Sequence, residues 1–195
     1  MKPNTPQLRT LQARTRNHSM QGVTMMETVV VLALVGILTA MAIPSMHGTI
    51  SNTYSTTISD RLLTDLSLAR SQAVMSTFPS VMCPSTDRLT CTGHDDWSSG
   101  WIVFTERNHS DQRSASEPVI ATVNASDLGG LRVVSSSGRT KVRFLPDGIG
   151  GGTNLTMHVC NGSKLASRVV VNVSGRARIE APDAGDTACD EVANG

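Results

Sequence analysis

The chain has 195 residues, a formal net charge of +1 and only six aromatic residues. That length suits one domain whose core rests on Val, Leu, Ile and Met rather than on rings, and the small charge excludes a protein that holds polyanions through its overall field. Residues 1–22 contain Lys2, Arg9, Arg14 and Arg16 and no acid, so taking those four from 17 Lys+Arg leaves 13 against 16 Asp+Glu, a net of −3. Anion binding by the remainder must therefore come from charge that is locally concentrated.

In chain order, the first feature is the junction Gly22-Val23-Thr24-Met25-Met26-Glu27, which opens an apolar run ending at Ile43-Pro44. A carboxylate inside a membrane helix costs about 2.5–3.5 kcal/mol on insertion scales, so such a group is usually paired or functional. Cleavage between Gly22 and Val23 would create an α-amine cation with which Glu27 of a neighbouring copy pairs. The basic leader, Gly22 at the cut, Glu27 early in the mature chain and Pro44 closing the run resemble a type IV prepilin. The resemblance implies that residues 1–22 are a leader, kept in the cytoplasm by its cations and removed by prepilin peptidase. Residues 23–48 would then be a transmembrane and assembly helix. Two alternatives stand beside this one. Residues 29–38 can act as a secretory h-region before the small-residue site Ala40-Met41-Ala42, giving Ile43 as the mature amino-terminus instead of Val23, or the segment can remain an uncleaved anchor.

From Val23 to about Met75 the pattern is one long helix, softened at Pro44 and Gly48. Ile50, Tyr54, Ile58, Leu62, Leu66, Ala69 and Ala73 recur four or three apart and form one face. Asp60, Asp65 and Arg70 are expected largely off that stripe. Phe78-Pro79 ends the helix. The period then changes to two, predicting strands at Val81–Cys83, Trp101–Thr105, Val119–Val123, Leu131–Val134, Lys141–Leu145, Leu155–Cys160 and Arg168–Val173. One helix followed by short strands implies an α+β fold, a mainly antiparallel sheet packed on the helix, with a head at 49–182. Residues 183–195 read as an acidic loop-like tail.

Four cysteines, Cys83, Cys91, Cys160 and Cys189, all follow the apolar run. An even count in an exported domain favours disulfides. Three connectivities are open; Cys83–Cys91 with Cys160–Cys189 is preferred, the second tying down the tail. A metal site of Cys83, Cys91 and His94 is the alternative, though it lacks paired C-x-x-C spacing.

Val81-Met82-Cys83-Pro84-Ser85, Cys91, Trp97-Ser98-Ser99-Gly100-Trp101-Ile102-Val103-Phe104, Phe144-Leu145-Pro146-Asp147-Gly148 and Ser174-Gly175-Arg176-Ala177-Arg178 together resemble the head of FimT/GspH-type minor pilins. The resemblance covers residues 20–182. It implies a pilin-like subunit of a bacterial type IV pilus or secretion pseudopilus. Such a subunit sits in the inner membrane with its head in the periplasm, then joins other pilins in the filament. It also implies DNA capture, because FimT-type proteins are associated with transformation pili and share a G-R-x-R segment, matched here by Gly175-Arg176-Ala177-Arg178.

The residues themselves supply a parallel reason. Between 131 and 178 lie eight cations and one acid, Asp147; five acids follow between Glu180 and Glu191. In an extended strand Arg139, Lys141 and Arg143 project from one face, and Arg176 and Arg178 share the same relation. Val169, Val171 and Val173 are expected on the core side, leaving Arg168 beside the exposed set. These six cations would contact phosphates of duplex DNA without reading its sequence. Alternatively they are ordinary solvated faces, and the subunit is structural: a primer of pilus assembly or a minor pseudopilin of a type II secretion system. No nucleophile elbow, P-loop or H-E-x-x-H is found, so no enzyme and no cofactor is expected. Gly148-Ile149-Gly150-Gly151-Gly152 follows Pro-Asp and precedes a strand, which makes it a turn rather than a phosphate cradle.

Overall fold

Thr24 starts the long helix: its Oγ1 accepts the Glu27 amide at 3.3 Å, and its carbonyl accepts the Thr28 amide at 3.2 Å. Thr-x-x-Glu is the spacing of an amino-terminal capping box, and an acid in the first turn is favoured by the helix dipole, so Glu27 has a local reason for its position. The computed structural model describes residues 22–108, 110, 112–152, 154–183 and 185–189, with backbone alone for 40–51. Most of the leader, the side chains of the Ala40-Met41-Ala42 site, Pro44, Gly48 and Ile50, and the end of the acidic tail lie outside the described residues.

The helix α1 runs over Met25–Ser76, and the chain divides into two compact units, Met1–Pro44 and Ser45–Gly195. In the first unit every described side chain from Val23 to Thr39 is exposed, including Val29, Leu32, Val35 and Leu38. Among the described residues no helix is long and apolar enough to cross a membrane. The expected span, 23–48, continues into residues whose side chains lie outside the description.

In the second unit, Ile58, Leu62, Leu66, Ala69 and Ala73 are buried as the spacing requires, whereas Tyr54 is largely exposed. Truncating a fully buried leucine such as Leu62 or Leu66 to alanine typically costs about 2–5 kcal/mol. Among the described residues eight strands follow: β1 Ser80–Pro84, β2 Gly100–Thr105, β3 Val119–Asn124, β4 Arg132–Ser135, β5 Val142–Phe144, β6 Leu155–Asn161, β7 Lys164–Val171 and β8 Ala177–Glu180. They form two sheets rather than the single one expected, in the orders β3-β2-β1-β5 and β4-β6-β7-β8, every pairing antiparallel. The chain leaves the first sheet after a 3-10 turn at Ala125–Leu128, begins the second with β4, then returns with β5 to the far edge of the first.

The inner faces of both sheets meet the helix stripe in one core, which joins Leu62 and Leu66 to Trp101, Phe144, Met157 and Val169. The central strands of the first sheet are buried on both sides, because Ile102 and Phe104 pack with Val81 and Cys83 under the loop that follows β1. That is why β1 and β2 read as continuous apolar runs.

Two disulfides staple this unit. Cys83–Cys91 spans a Cα separation of 5.5 Å and Cys160–Cys189 one of 5.8 Å, in the preferred connectivity. The first bond consumes both thiolates that the metal alternative with His94 requires. The second joins residues 29 apart; on the chain-entropy model a closed loop of that length stabilises by about 3–4 kcal/mol.

Asp65 departs from expectation. It is buried, accepting Trp101 Nε1–H at 2.9 Å and Arg61 Nε–H at 2.9 Å. It thereby fixes α1 to β2 through the indole, whose N–H needs a partner once the ring is inside.

Candidate nucleic-acid interface

The turn between β7 and β8 carries Gly175 and Arg176 of the G-R-x-R segment, whose Ala177 and Arg178 open β8. Asn172 organises it: its Oδ1 accepts the Arg176 amide at 2.9 Å and the Ser174 hydroxyl at 2.7 Å, and its carbonyl accepts the Gly175 amide at 2.9 Å. Gly175 has φ +75° and lies so close to a second turn that a β-carbon there would meet the Gly148 carbonyl oxygen at 2.2 Å. The second turn is Pro146-Asp147-Gly148, closed by the Gly148 amide on Leu145 O at 2.8 Å. Arg70 Nε, reaching from α1, donates to the same Gly148 oxygen at 2.9 Å. The Gly150 amide on Val173 O, at 2.8 Å, completes the junction. Two segments distant in sequence are thus packed back to back and held from below by the helix.

Gly148, Gly150 and Gly151 spend their amides on the Leu145, Val173 and Arg143 carbonyls and Ile149 its amide on Asp147 Oδ1, which makes the stretch a turn and a connection rather than an anion cradle.

The six expected cations divide into two groups. Arg139, Lys141 and Arg143 line one cleft of about 330 Å³ together with Gly150, Gly151 and Asn172. They do not form a free strand face, since β5 contains only Arg143 of the three. Arg143 is half-buried and pairs through Nη2 with the buried Glu106 at 2.5 Å. The cleft abuts the β7–β8 turn, because Asn172 both lines it and holds the Arg176 amide.

The second group lies on and beside β7 and β8. Val169 and Val171 are buried, so Arg168 and its register partner Glu180 share the outer face with Val170 and Arg178. Val173, expected inside, lies beyond the strand and is exposed. Arg168 is not beside a free set. Its guanidinium donates to Asp183 at 2.6 Å and to Asp186 at 3.0 Å, both supplied by the tail that Cys189 ties down. Arg178 pairs with Glu180 at 2.7 Å, an exposed contact worth about 0–1 kcal/mol. Among the described residues no carboxylate pairs with the Arg176 guanidinium, which is exposed.

The tail contact carries a titration. His158 faces Arg168 across the β6–β7 register. Burial pushes its imidazole below the ordinary value of 6.5; Asp186 opposes that shift and Arg168 adds to it. A histidine depressed in the folded state is protonated more readily when unfolded, so its contribution is fully present above about 6.5 and is lost as pH falls below it. Thermal melts at pH 7.5 and 5.5 are expected to show a lower Tm at pH 5.5, and His158→Gln is expected to shrink that difference. Equal differences in the two proteins would remove His158 from the account.

Sequence reading missed Arg70 and Asp147 as neighbours of the Arg176 turn. For Asp147 the signal was that Asp147-Gly148 and Gly175-Arg176 both belong to the family resemblance; for Arg70 there was none.

The family model for type II transport protein GspH matches residues 59–175, more than half of the chain. No curated protein matches the sequence. Among solved structures, the type IV minor pilin FimU of Pseudomonas aeruginosa strain PAO1 superposes in two crystal forms. The TM-scores are 0.51 and 0.52 at 18% identity, over 66% of this chain and 97% and 92% of those chains. The minor pseudopilin EpsH of the Vibrio cholerae type 2 secretion system aligns with TM-score 0.49 at 12% identity, over 70% of this chain and 99% of that one. The FimU likeness is one of fold, and it agrees with an α+β head in which helix and antiparallel sheets share a core. On the family match, the chain belongs to the GspH family of type II transport proteins.

Proposed function

We propose that this protein is a minor pilin whose head holds extracellular duplex DNA by its phosphates for uptake in natural transformation. It acts by binding rather than by catalysis. The observation that carries the reading is the rigid junction of Gly148 and Gly175, which presents Arg176 without a described carboxylate partner next to the cleft of Arg139, Lys141 and Arg143. A guanidinium offers paired donors to phosphate oxygens, and fixed spacing lets several act on one backbone. Few aromatics lie nearby, so stacking of single-stranded bases contributes little. Residues 23–48 serve as the inner-membrane and then filament helix after prepilin peptidase removes 1–22. Glu27 pairs with the new amine at Val23 of an adjacent pilin. The exposed apolar side chains of Val29 to Leu38 support this, since they lack a partner within the described chain.

With about five phosphate contacts, log affinity should fall against log salt with a slope of about −4 to −5. The full chain in detergent, titrated with duplex DNA over a salt series, is expected to bind in the micromolar to sub-millimolar range, and avidity along a filament raises that. Arg176→Gln/Arg178→Gln is expected to abolish binding with the melting temperature kept. Unaltered affinity and salt slope in the double variant would remove Arg176 and Arg178 from the interface, and no binding by the parent at low salt would leave a structural role in assembly or secretion.

A further inference from the structure

A groove of about 460 Å³ runs between α1 and the Gly148–Gly175 junction, with Arg70, Val74 and Met75 on the helix side and Asp147 and Arg176 on the other. Arg70 is anchored at one atom only. Its Nε–H is spent on Gly148 O, and among the described residues neither Nη group has a hydrogen-bond or ion-pair partner. An arginine needed only to staple that turn has satisfied the need through Nε. Its two remaining donor groups stay at the groove, along with the unpaired guanidinium of Arg176. The turn glycines hold the wall in place. A β-carbon on Gly148 would lie 3.3 Å from Arg70 Nε, and one on Gly175 would lie 3.2 Å from it, so a side chain at either glycine would crowd the guanidinium that donates to Gly148 O.

We infer that this groove is a phosphodiester-binding pocket in which Arg70 and Arg176 act as a pair, so that the spine helix itself touches the ligand. The inference rests on the DNA reading above and adds to it a contact from a different element. Two guanidiniums across one groove suit a phosphate, which presents several acceptor oxygens and takes donors from opposite sides. The apolar stems of Val74 and Met75 suit the sugar next to it. Asp147 is the opposing feature. Its Oδ1 accepts the Ile149 amide at 2.9 Å, so its position is fixed by the turn, and its charge weakens any anion in the groove. That makes Asp147 a tuning residue with a predictable sign.

The test uses the full chain in detergent and duplex DNA over a salt series, with Arg70→Gln, Arg70→Lys and Asp147→Asn beside the Arg176→Gln/Arg178→Gln variant. Arg70→Gln is expected to weaken binding about tenfold at low salt and to reduce the salt slope by about 1, the signature of one lost phosphate contact. Arg70→Lys keeps the charge but offers a single donor nitrogen, which cannot serve both Gly148 O and a phosphate in the guanidinium's fork geometry, and should fall between. Asp147→Asn keeps an acceptor for Ile149 and should tighten binding a few-fold. Should Arg70→Gln also lower the melting temperature, Asp147→Asn decides, because it leaves the Arg70–Gly148 bond untouched. Parent-like affinity and slope in both Arg70→Gln and Asp147→Asn, with the double arginine variant still inactive, would overturn this pocket alone. Absence of salt-sensitive binding by the parent would overturn the DNA reading and this pocket with it.

Discussion

Gly175→Ala is expected to destabilise the head by about 2–4 kcal/mol and to abolish the proposed DNA binding, although it adds a single methyl group, because Gly175 is buried against a second turn. Two penalties coincide at this position. The first is conformational: φ is +75°, and a residue with a β-carbon in the left-handed region loses roughly 1–2 kcal/mol. The second is steric: the new atom would stand 2.2 Å from the Gly148 oxygen, a backbone atom already fixed by Arg70 and by its own turn. Either turn 172–176 or turn 146–148 must move, and whichever moves carries Arg176 away from Arg70 or breaks the Arg70 bond. Gly138 supplies the control, having φ +74° and nothing within 4 Å of its would-be β-carbon. Gly138→Ala should show the conformational penalty alone, about 1 kcal/mol. Chemical denaturation of both variants separates the two effects. Equal losses at the two positions would show that the Gly148 contact is relaxed in solution and does not hold the Arg176 turn.

The same junction shows what was legible in the sequence. Local spacing placed a turn at Gly148–Gly152, whereas Gly175 entered only as part of the G-R-x-R segment. What spacing cannot express is that the turns oppose each other, for that depends on β5 returning to the first sheet while β7 and β8 extend the second. The split into two sheets was hidden for a related reason: period-two runs identify strands, not their partners. Strand β8 was missed as an element because Ala177-Arg178-Ile179-Glu180 has a single large apolar residue. It pairs along β7 through backbone bonds that leave no mark on the residue pattern. The cations were counted correctly but their freedom was not. Arg168 and Arg178 lie among Glu180, Asp183 and Asp186; Glu180 comes with the β7–β8 pairing, and the two aspartates come with the tail that the Cys160–Cys189 bond folds back. Arg143 is likewise claimed by Glu106, a residue 37 positions away that nothing local connects to it. The G-R-x-R match is thus narrower in structure than in sequence, with Arg176 its least compensated member.

Asp65→Ala should be the most damaging change to a polar residue on the helix, with a loss of about 2–4 kcal/mol. By periodicity the position is part of the core stripe, three residues after Leu62 and four before Ala69. Only its charge argued for the outer face. The structure keeps the stripe and satisfies the charge, since Trp101 and Arg61 each donate to Oδ2 and the carboxylate is all but sealed off. Removing the carboxylate leaves the indole N–H of a fully buried tryptophan without its acceptor, a penalty of about 1–3 kcal/mol, and opens a small void beside Leu62 and Leu66. Arg61 is half exposed and recovers its hydration, so the loss concentrates at Trp101. Asp65→Asn retains an acceptor of the same shape and should lose less than half as much. Arg61→Ala should be close to neutral, because a half-exposed i, i+4 pair contributes about 0.3–0.5 kcal/mol. Tryptophan fluorescence reads the same site once Trp97, the other buried tryptophan, is replaced by Phe: in that background Asp65→Ala should change the native emission, and Arg61→Ala should not. A large loss from Arg61→Ala with little from Asp65→Ala would mean that the ion pair, rather than the indole bond, joins the helix to the first sheet.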